Sequence, residues 1–378
     1  MFNDDNGAGS DASVVAHTSE PGDVFLTVAD DQVDLWNGRP GGETVTFDQA
    51  VEEVLRDADE DGLREDWQVE DLNEWVFGLV GGFAMVASKD GRACLLRDTA
   101  FSHVCERVKA PSRYLKSIPT RYSVPSLNWG LKSRSDGPAF IRLAGGEARA
   151  VLSQRYGAFD DKFVFPQLRT NLAAAGLLDT VCARVVATGL TTLVRLGIPG
   201  EAFAIPGTDE IAEIAMDFTN GEVGNRACHL APSVYLTRGG LATRRGGVRI
   251  RHLGSTDRLA EEFREAVPEA LAGARLLRSQ IVAAVDRAIS DIAGEADKLR
   301  TLGLTLSEAR EVVRKVASGS GVALPHDTAE WGDPLTAVGD VRAYDVFAAI
   351  AGLGDGKGVD RRLELEEVAA KYLAKATK

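Results

Sequence analysis

The chain has 378 residues, 44% hydrophobic and 26% charged, which fits a globular protein of one large or two ordinary domains. No run of about 18 apolar residues occurs, and the opening MFNDDNGAGSDAS is polar and acidic. Neither a membrane-spanning helix nor a signal peptide is therefore expected, and the expected location is cytoplasmic (the host cytoplasm for a phage-encoded chain). Cys94, Cys105, Cys182 and Cys228 form no C-x-x-C pair and lie in apolar surroundings, which predicts reduced, buried thiols.

The net charge of −13 is unevenly spread. Residues 1–100 hold 6 Lys/Arg against 23 Asp/Glu, whereas residues 101–258 hold 21 against 13. Positive charge gathers at Arg107–Arg155, with ten Lys/Arg and two acids, and at Arg238–Arg258, with six Arg and one acid. An acidic first quarter and a basic middle predict separate roles, with an anionic partner for the middle. Composition divides the chain into a disordered acidic tail (1–22), an acidic α+β region (23–100), a basic β-rich core (101–258) and a helical C-terminal region (259–378).

In chain order, Val24–Val28 reads as a short strand, followed by turn signals between Trp36 and Gly42. Phe47, Val51, Val54 and Leu55 recur at helical spacing and predict a helix over 46–58. Leu72–Val80 is apolar and fits a helix or a strand. Phe83–Ala87 and Ala93–Leu96 flank Lys89-Asp90-Gly91 and predict a hairpin. Asp57, Asp59, Asp61 and Gly62 start like a twelve-residue calcium loop, but Gln68 stands where a bidentate Glu belongs. A solvated acidic helix end is the reading preferred there. Ser102–Val108 and the segment between Pro111 and Pro119 read as short helices, with Arg113 and Lys116 on one face. Glu147–Ser153 alternates as a strand, and Asp160 or Asp161 caps a helix over 162–175.

Cys182–Ala187 and Thr191–Gly197 predict a hairpin, and Ile211–Phe218 a strand turning at Asn220-Gly221. Asp217–His252 predicts two or three strands joined by glycine turns, with arginines at one end. From Thr256 the period becomes helical, through Leu259, Phe263, Val267, Leu271 and then Leu276, Ile281, Val285, Ile289. Thr305-Leu-Ser-Glu308 is a capping box, and 337–351 and 362–375 give two more helices. Strands first and helices after predict an α+β fold: an antiparallel sheet with Gly-rich turns packed by helices, followed by a helical C-terminal part.

Four segments together resemble the uncharacterised phage/plasmid-like protein family, a domain of unknown function common in phage and mobile elements. They are Pro111–Pro119 with Tyr114-Leu115-Lys116, Glu147–Asp161 with Arg155-Tyr156-Gly157 and Asp160-Asp161, Asn220–Gly224, and Arg249–Gly254 with Arg251-His252. The late helices around Arg342-Ala343-Tyr344 and Arg361-Arg362 also fit. Two positions depart from the family pattern: Gly221 replaces a serine, and Leu236-Thr237-Arg238-Gly239 replaces a Cys-x-Asn-Gly turn. The resemblance implies a phage or mobile-element origin and carries no settled activity.

Catalytic motifs are weak. Cys228-His229 and His252 are candidate metal ligands, but strand alternation sends Cys228 and His229 to opposite faces. Gly352–Gly358 lacks both the first glycine and the Ser/Thr of a phosphate loop. No G-x-S-x-G or H-E-x-x-H occurs, and no metal or cofactor is expected. Binding explains more. Arg244, Arg245, Arg249 and Arg251, with Arg238 nearby, predict a cluster of guanidinium groups suited to phosphate. Arg113, Lys116 and Arg155 predict a second contact line, interleaved with Tyr114, Tyr122, Trp129 and Tyr156 as stacking platforms. The leading expectation is a single-stranded-nucleic-acid-binding protein, with strand annealing and recombination as its setting and a homo-oligomer as its form. Two alternatives stand beside it. One is an interaction or structural oligomer without nucleic acid. The other is a metal-dependent enzyme on nucleic acid using Glu222, Asp217 or the Asp160–Asp161 pair.

Overall fold

In a computed structural model of the chain, the described residues are 33–34, 45–60, 64–80, 83–87, 91–134, 137–187, 190–236, 241–253, 257–289, 292–319, 341–354 and 357–378. The expected acidic tail, the strand at Val24–Val28, the turns at Trp36–Gly42 and Arg238 lie outside them. The elements in order are β1 (Val33–Asp34), α1 (Phe47–Glu60), β2 (Arg64–Val69), β3 (Val76–Val80), β4 (Phe83–Ala87), β5 (Ala93–Leu96), α2 (Asp98–Arg107), α3 (Ser112–Ser117), α4 (Thr120–Arg134), β6 (Ala139–Ala144), β7 (Glu147–Leu152) and α5 (Asp161–Ala174). Then follow β8 (Cys182–Ala187), β9 (Thr192–Ala204), β10 (Ile211–Asn220), β11 (Cys228–Leu236), β12 (Leu241–Arg244), β13 (Val248–Ile250), α6 (Asp257–Asp286), α7 (Ile292–Thr301), α8 (Leu306–Gly319), α9 (Ala343–Ala351) and α10 (Val359–Ala376). The fold is α+β with antiparallel sheets and a helical C-terminal part.

The described residues fall into two compact units, one within 58–156, the other within 32–57 and 157–378. They part at Tyr156–Gly157, whereas composition draws its boundaries at 100 and 258. The first unit holds a six-stranded sheet in the order β2-β6-β7-β5-β4-β3, antiparallel except for the β5–β7 pair. The Phe83–Ala87 and Ala93–Leu96 hairpin is present as β4 and β5. Leu72–Val80, which fits either type in sequence, is a 3-10 turn running into β3. In the calcium-loop motif the first four residues end α1 and the last five belong to β2. Apolar residues of α2, α3 and α4, among them Phe101, Leu115, Leu127 and Leu131, cover one face of the sheet.

The second unit holds a seven-stranded antiparallel sheet ordered β1-β8-β9-β10-β11-β12, with β13 also on β11. Alternation along β10 sends Ala212, Ile214, Met216 and Phe218 to an apolar face covered by α1, α5 and α6. Phe47, Phe165, Phe218 and Phe263 form a chain of tilted and edge-on ring contacts through that layer. The helical periods of 256–289 merge into one 30-residue helix, α6. Before α8, Thr305 and Glu308 exchange the reciprocal bonds of the capping box, Glu308 N–H to Thr305 Oγ1 at 3.3 Å and Thr305 N–H to Glu308 Oε2 at 2.9 Å.

Pro232 stands inside β11, where proline would normally break a ladder. Its carbonyl accepts from Arg245 N–H at 3.2 Å, so its missing N–H also points to that side, into the gap where β12 gives way to β13. Gly246 and Gly247 fill the gap with φ of 71° and 90°. A Cβ at Gly247 would lie 2.2 Å from the Leu230 carbonyl oxygen, which is backbone and cannot swing away. Gly247→Ala should therefore destabilise the second unit by at least the about 1–3 kcal/mol typical of a strained backbone position. Chemical denaturation followed by tryptophan fluorescence and far-UV circular dichroism checks this. An unchanged midpoint would show that the β12–β13 junction is not held as described.

Candidate nucleic-acid interface

From Arg107 to Arg134 the chain carries seven Lys/Arg and no Asp or Glu. Folding turns this run into the end of α2, then α3 and α4, with Leu115, Val124, Leu127 and Leu131 facing inward. Asn128 clamps α4 to β3: it accepts from Phe77 N–H at 2.7 Å and donates to Phe77 carbonyl at 2.9 Å. Gly130 lets the helix press on Val108, whose side chain would lie 2.8 Å from an added Cβ. With the inner face held, the outer face is determined. It presents Arg113 and Tyr114 from α3, and Arg121, Tyr122, Trp129, Lys132 and Arg134 from α4.

Tyr114, Tyr122 and Trp129 are 58%, 56% and 59% exposed, unusual for large aromatic side chains. Seven residues separate Tyr122 from Trp129, which places them on one side of α4, about 10 Å apart along its axis. The Arg121 guanidinium lies 4.9 Å from the Tyr122 ring centre, and that of Arg134 lies 4.9 Å from Trp129. Among the described residues no carboxylate pairs with Arg113, Arg121, Lys132 or Arg134. The result is an uncompensated basic surface set with aromatic faces.

Lys116 does not join this surface. It is ion-paired with Asp98 at 2.6 Å and sits over Phe101, so its charge is already met. Arg155 is exposed, and Tyr156 is half-buried and stacked on Phe140 at 6.1 Å. Sequence reasoning passed over Arg121, Lys132 and Arg134, although the 28-residue absence of acids marks them.

In the second unit the expected four-guanidinium cluster needs correction. Arg245, Arg249 and Arg251 are exposed, but Arg244 is 1% exposed. It donates through Nη2 to His229 Nδ1 at 2.8 Å and lies 3.6 Å from Glu367. The His229 Nε2 therefore carries the proton and donates to Gly246 carbonyl at 2.8 Å. Burial and the Arg244 charge push the imidazole down to about 4, so His229 is neutral at pH 7. Cys228 faces the apolar core on the opposite side, as alternation requires.

Next to Arg244, Arg195 of β9 is fully buried on the sheet face opposite α6. Its Nε and Nη2 donate to both oxygens of Asp217 at 2.7 and 2.6 Å, and Nη2 also reaches Glu366 of α10 at 2.8 Å. Ser233 donates to Asp217 at 2.8 Å. Burial alone would raise the Asp217 carboxyl, but the Arg195 guanidinium holds it below its ordinary value.

A second buried cluster gathers Asp161, Thr192, Asn220, Glu222 and His252. Asp161, the first residue of α5, accepts from Thr192 Oγ1 at 2.6 Å and from Asn220 Nδ2 at 2.8 Å. Its N–H donates to Glu222 at 3.0 Å, and Asn220 Oδ1 is bonded to His252 Nε2 at 3.0 Å. Every one of these groups is engaged by an internal partner. Among the described residues no three or more His, Cys, Asp or Glu side chains are arranged to hold a metal ion.

Comparison of the chain with family models, with curated proteins and with solved structures finds no match. Among the described residues no helix is long and apolar enough to cross a membrane.

Burial, and then the Glu222 charge, raise the Asp161 carboxyl to about 7. The folded chain therefore keeps a proton that the unfolded chain releases near pH 4. That contribution to stability is present below about pH 4 and is lost as pH rises towards 7. Asp161→Asn should remove this slope, so that its denaturation midpoint gains on the wild type between pH 4 and 7; parallel profiles would refute the assignment. Glu366→Ala leaves part of the Arg195 charge unmet in the interior and should destabilise the second unit by about 3–5 kcal/mol, read by urea denaturation.

Proposed function

We propose that the protein binds single-stranded nucleic acid through the outer face of α3 and α4. The observation that carries this reading is the coincidence of Tyr114, Tyr122 and Trp129, all more than half exposed, with four cations that pair with no carboxylate among the described residues. An exposed aromatic ring in water is unfavourable unless something covers it, and an unpaired nucleobase offers a flat partner of matching area. Arg113, Arg121, Lys132 and Arg134 supply phosphate contacts beside the rings. Arginine over an aromatic ring extends the flat platform, so Arg121–Tyr122 and Arg134–Trp129 each present a combined stacking and charge surface. Contacts of this kind do not read sequence, which fits a protein that coats or anneals strands.

The test is a mobility-shift titration with a labelled single-stranded oligonucleotide across a salt series. Four phosphate contacts on a single strand give a slope of log K on log salt of about −3. Trp129→Ala with Tyr122→Ala should weaken binding by about 1–3 kcal/mol per ring, roughly 5- to 150-fold each, with little change of slope. Replacing the four cations by alanine should flatten the slope. No retardation at low salt, or retardation indifferent to both sets of changes, would overturn the proposal. Replacing Arg245, Arg249 and Arg251 tests whether the second unit contributes independently.

A further inference from the structure

Of the seven Lys/Arg from Arg107 to Arg134, Arg113, Arg121, Lys132 and Arg134 face outward and Lys116 meets Asp98. Arg107 is engaged too, donating to the carbonyls of Pro138 at 3.0 Å and Leu152 at 2.6 Å. The seventh, Lys109, is exposed, and among the described residues no carboxylate pairs with it. Among the described residues it is also the one non-glycine with a left-handed backbone, at φ 55°.

The end of α2 requires that backbone. Lys109 N–H donates to Glu106 carbonyl at 3.0 Å and Ala110 N–H to Cys105 carbonyl at 2.8 Å, the bond pair that closes a helix through one left-handed residue. Ala110 packs on the core and Pro111 follows, so the chain does not run on as helix. Two other helices end in the same way. After α5, Gly176 N–H donates to Ala173 carbonyl at 3.0 Å and Leu177 N–H to Leu172 carbonyl at 2.9 Å. After α7, Gly303 and Leu304 repeat the pair on Arg300 and Leu299 at 3.1 and 3.3 Å. Both place glycine at the left-handed position, with φ of 69° and 115°. Glycine has no Cβ to crowd the neighbouring carbonyl there, whereas lysine has one. The same closure thus uses glycine twice and lysine once, and the lysine is the one that follows directly into the basic α3–α4 segment.

Val108, one residue earlier, would lie 2.8 Å from a Cβ on Gly130. Lys109 and Trp129, the residues next to that contact, therefore have Cα atoms within about 13 Å of each other. A strand with one base on the Trp129 ring brings an adjacent phosphate within reach of a lysine arm from that side. We propose that Lys109 holds a phosphate of the bound strand, at a position where glycine would hold the fold better. This rests on the strand-binding reading of α3 and α4. A cation beyond the last turn of α2 also meets the negative end of the helix, and that role predicts the opposite effect on stability when the charge is removed.

Lys109→Gly and Lys109→Arg in the full chain test the contact, by thermal melting and by mobility shift with a labelled single-stranded oligonucleotide across a salt series. Lys109→Gly should melt higher by several degrees, because the left-handed position is relieved. The same variant should bind several-fold more weakly at low salt, with the slope of log K on log salt shallower by about 0.7, the share of one phosphate contact. Lys109→Arg should keep wild-type binding and slope. A lower melting midpoint in Lys109→Gly would overturn the proposal, since the lysine would then serve the helix end. Wild-type binding and slope in Lys109→Gly, while Trp129→Ala weakens binding, would also overturn it and leave the strand-binding surface standing without Lys109. A loss in Lys109→Arg as large as in Lys109→Gly would do the same, because charge would not be what counts. No retardation of the wild-type chain removes the strand-binding reading and this contact together.

Discussion

The second unit depends on the fully buried guanidinium of Arg195 in the middle of its sheet. A charge removed from water is tolerated only where opposite charge and hydrogen bonds meet it. Asp217, one strand over, supplies a bidentate partner within the sheet, and Glu366 supplies another from α10, 171 residues away in sequence. The sheet face around Arg195 therefore accepts a cover that brings a carboxylate. Leu363, in the same helix, packs with Val186, Leu193 and Tyr235 and closes the apolar part of that face. Charge pairing and apolar packing thus select the same helix in the same place.

The two faces of this sheet show how one alternating pattern serves two kinds of layer. The even-numbered residues of β10 from Ala212 to Phe218 are apolar and meet α6 through a continuous hydrocarbon core. Odd-numbered ones include Glu213 and Asp217, which pair with Arg184 and Arg195. Arg184 also lies over the Tyr235 ring at 4.1 Å, so hydrocarbon, aromatic and charge are stacked in one layer. Such a layer gains little net energy from its ion pairs, but it penalises any arrangement that leaves one of them alone.

Arginine plays opposite parts in the two units. Arg195 and Arg244 are enclosed and engaged by residues of their own unit. Arg113, Arg121 and Arg134 stand on an outer helical face, where no carboxylate pairs with them among the described residues. The residue type is the same, and the difference is whether acids lie within a few ångströms. A basic stretch in sequence is therefore a statement about local charge. It becomes a statement about binding only once neighbouring elements are in place.

Sequence by itself determined the elements whose signals are local. Helical spacing marked α1 and α6, the Thr305–Glu308 box marked the start of α8, alternation marked β7, and the Asn220-Gly221 turn closed β10. It also determined that Cys228 and His229 part to opposite faces, and that the acid-free run ending at Arg134 is strongly basic. These follow from backbone periodicity and from bonds a few residues long. Only the tertiary structure decided that Arg244 is buried, that Lys116 is spoken for by Asp98, and that α10 covers the polar face of the sheet. Alternation states which way a side chain points but not what will lie over it. That cover comes from segments brought together by the whole fold, and no local pattern carries the information.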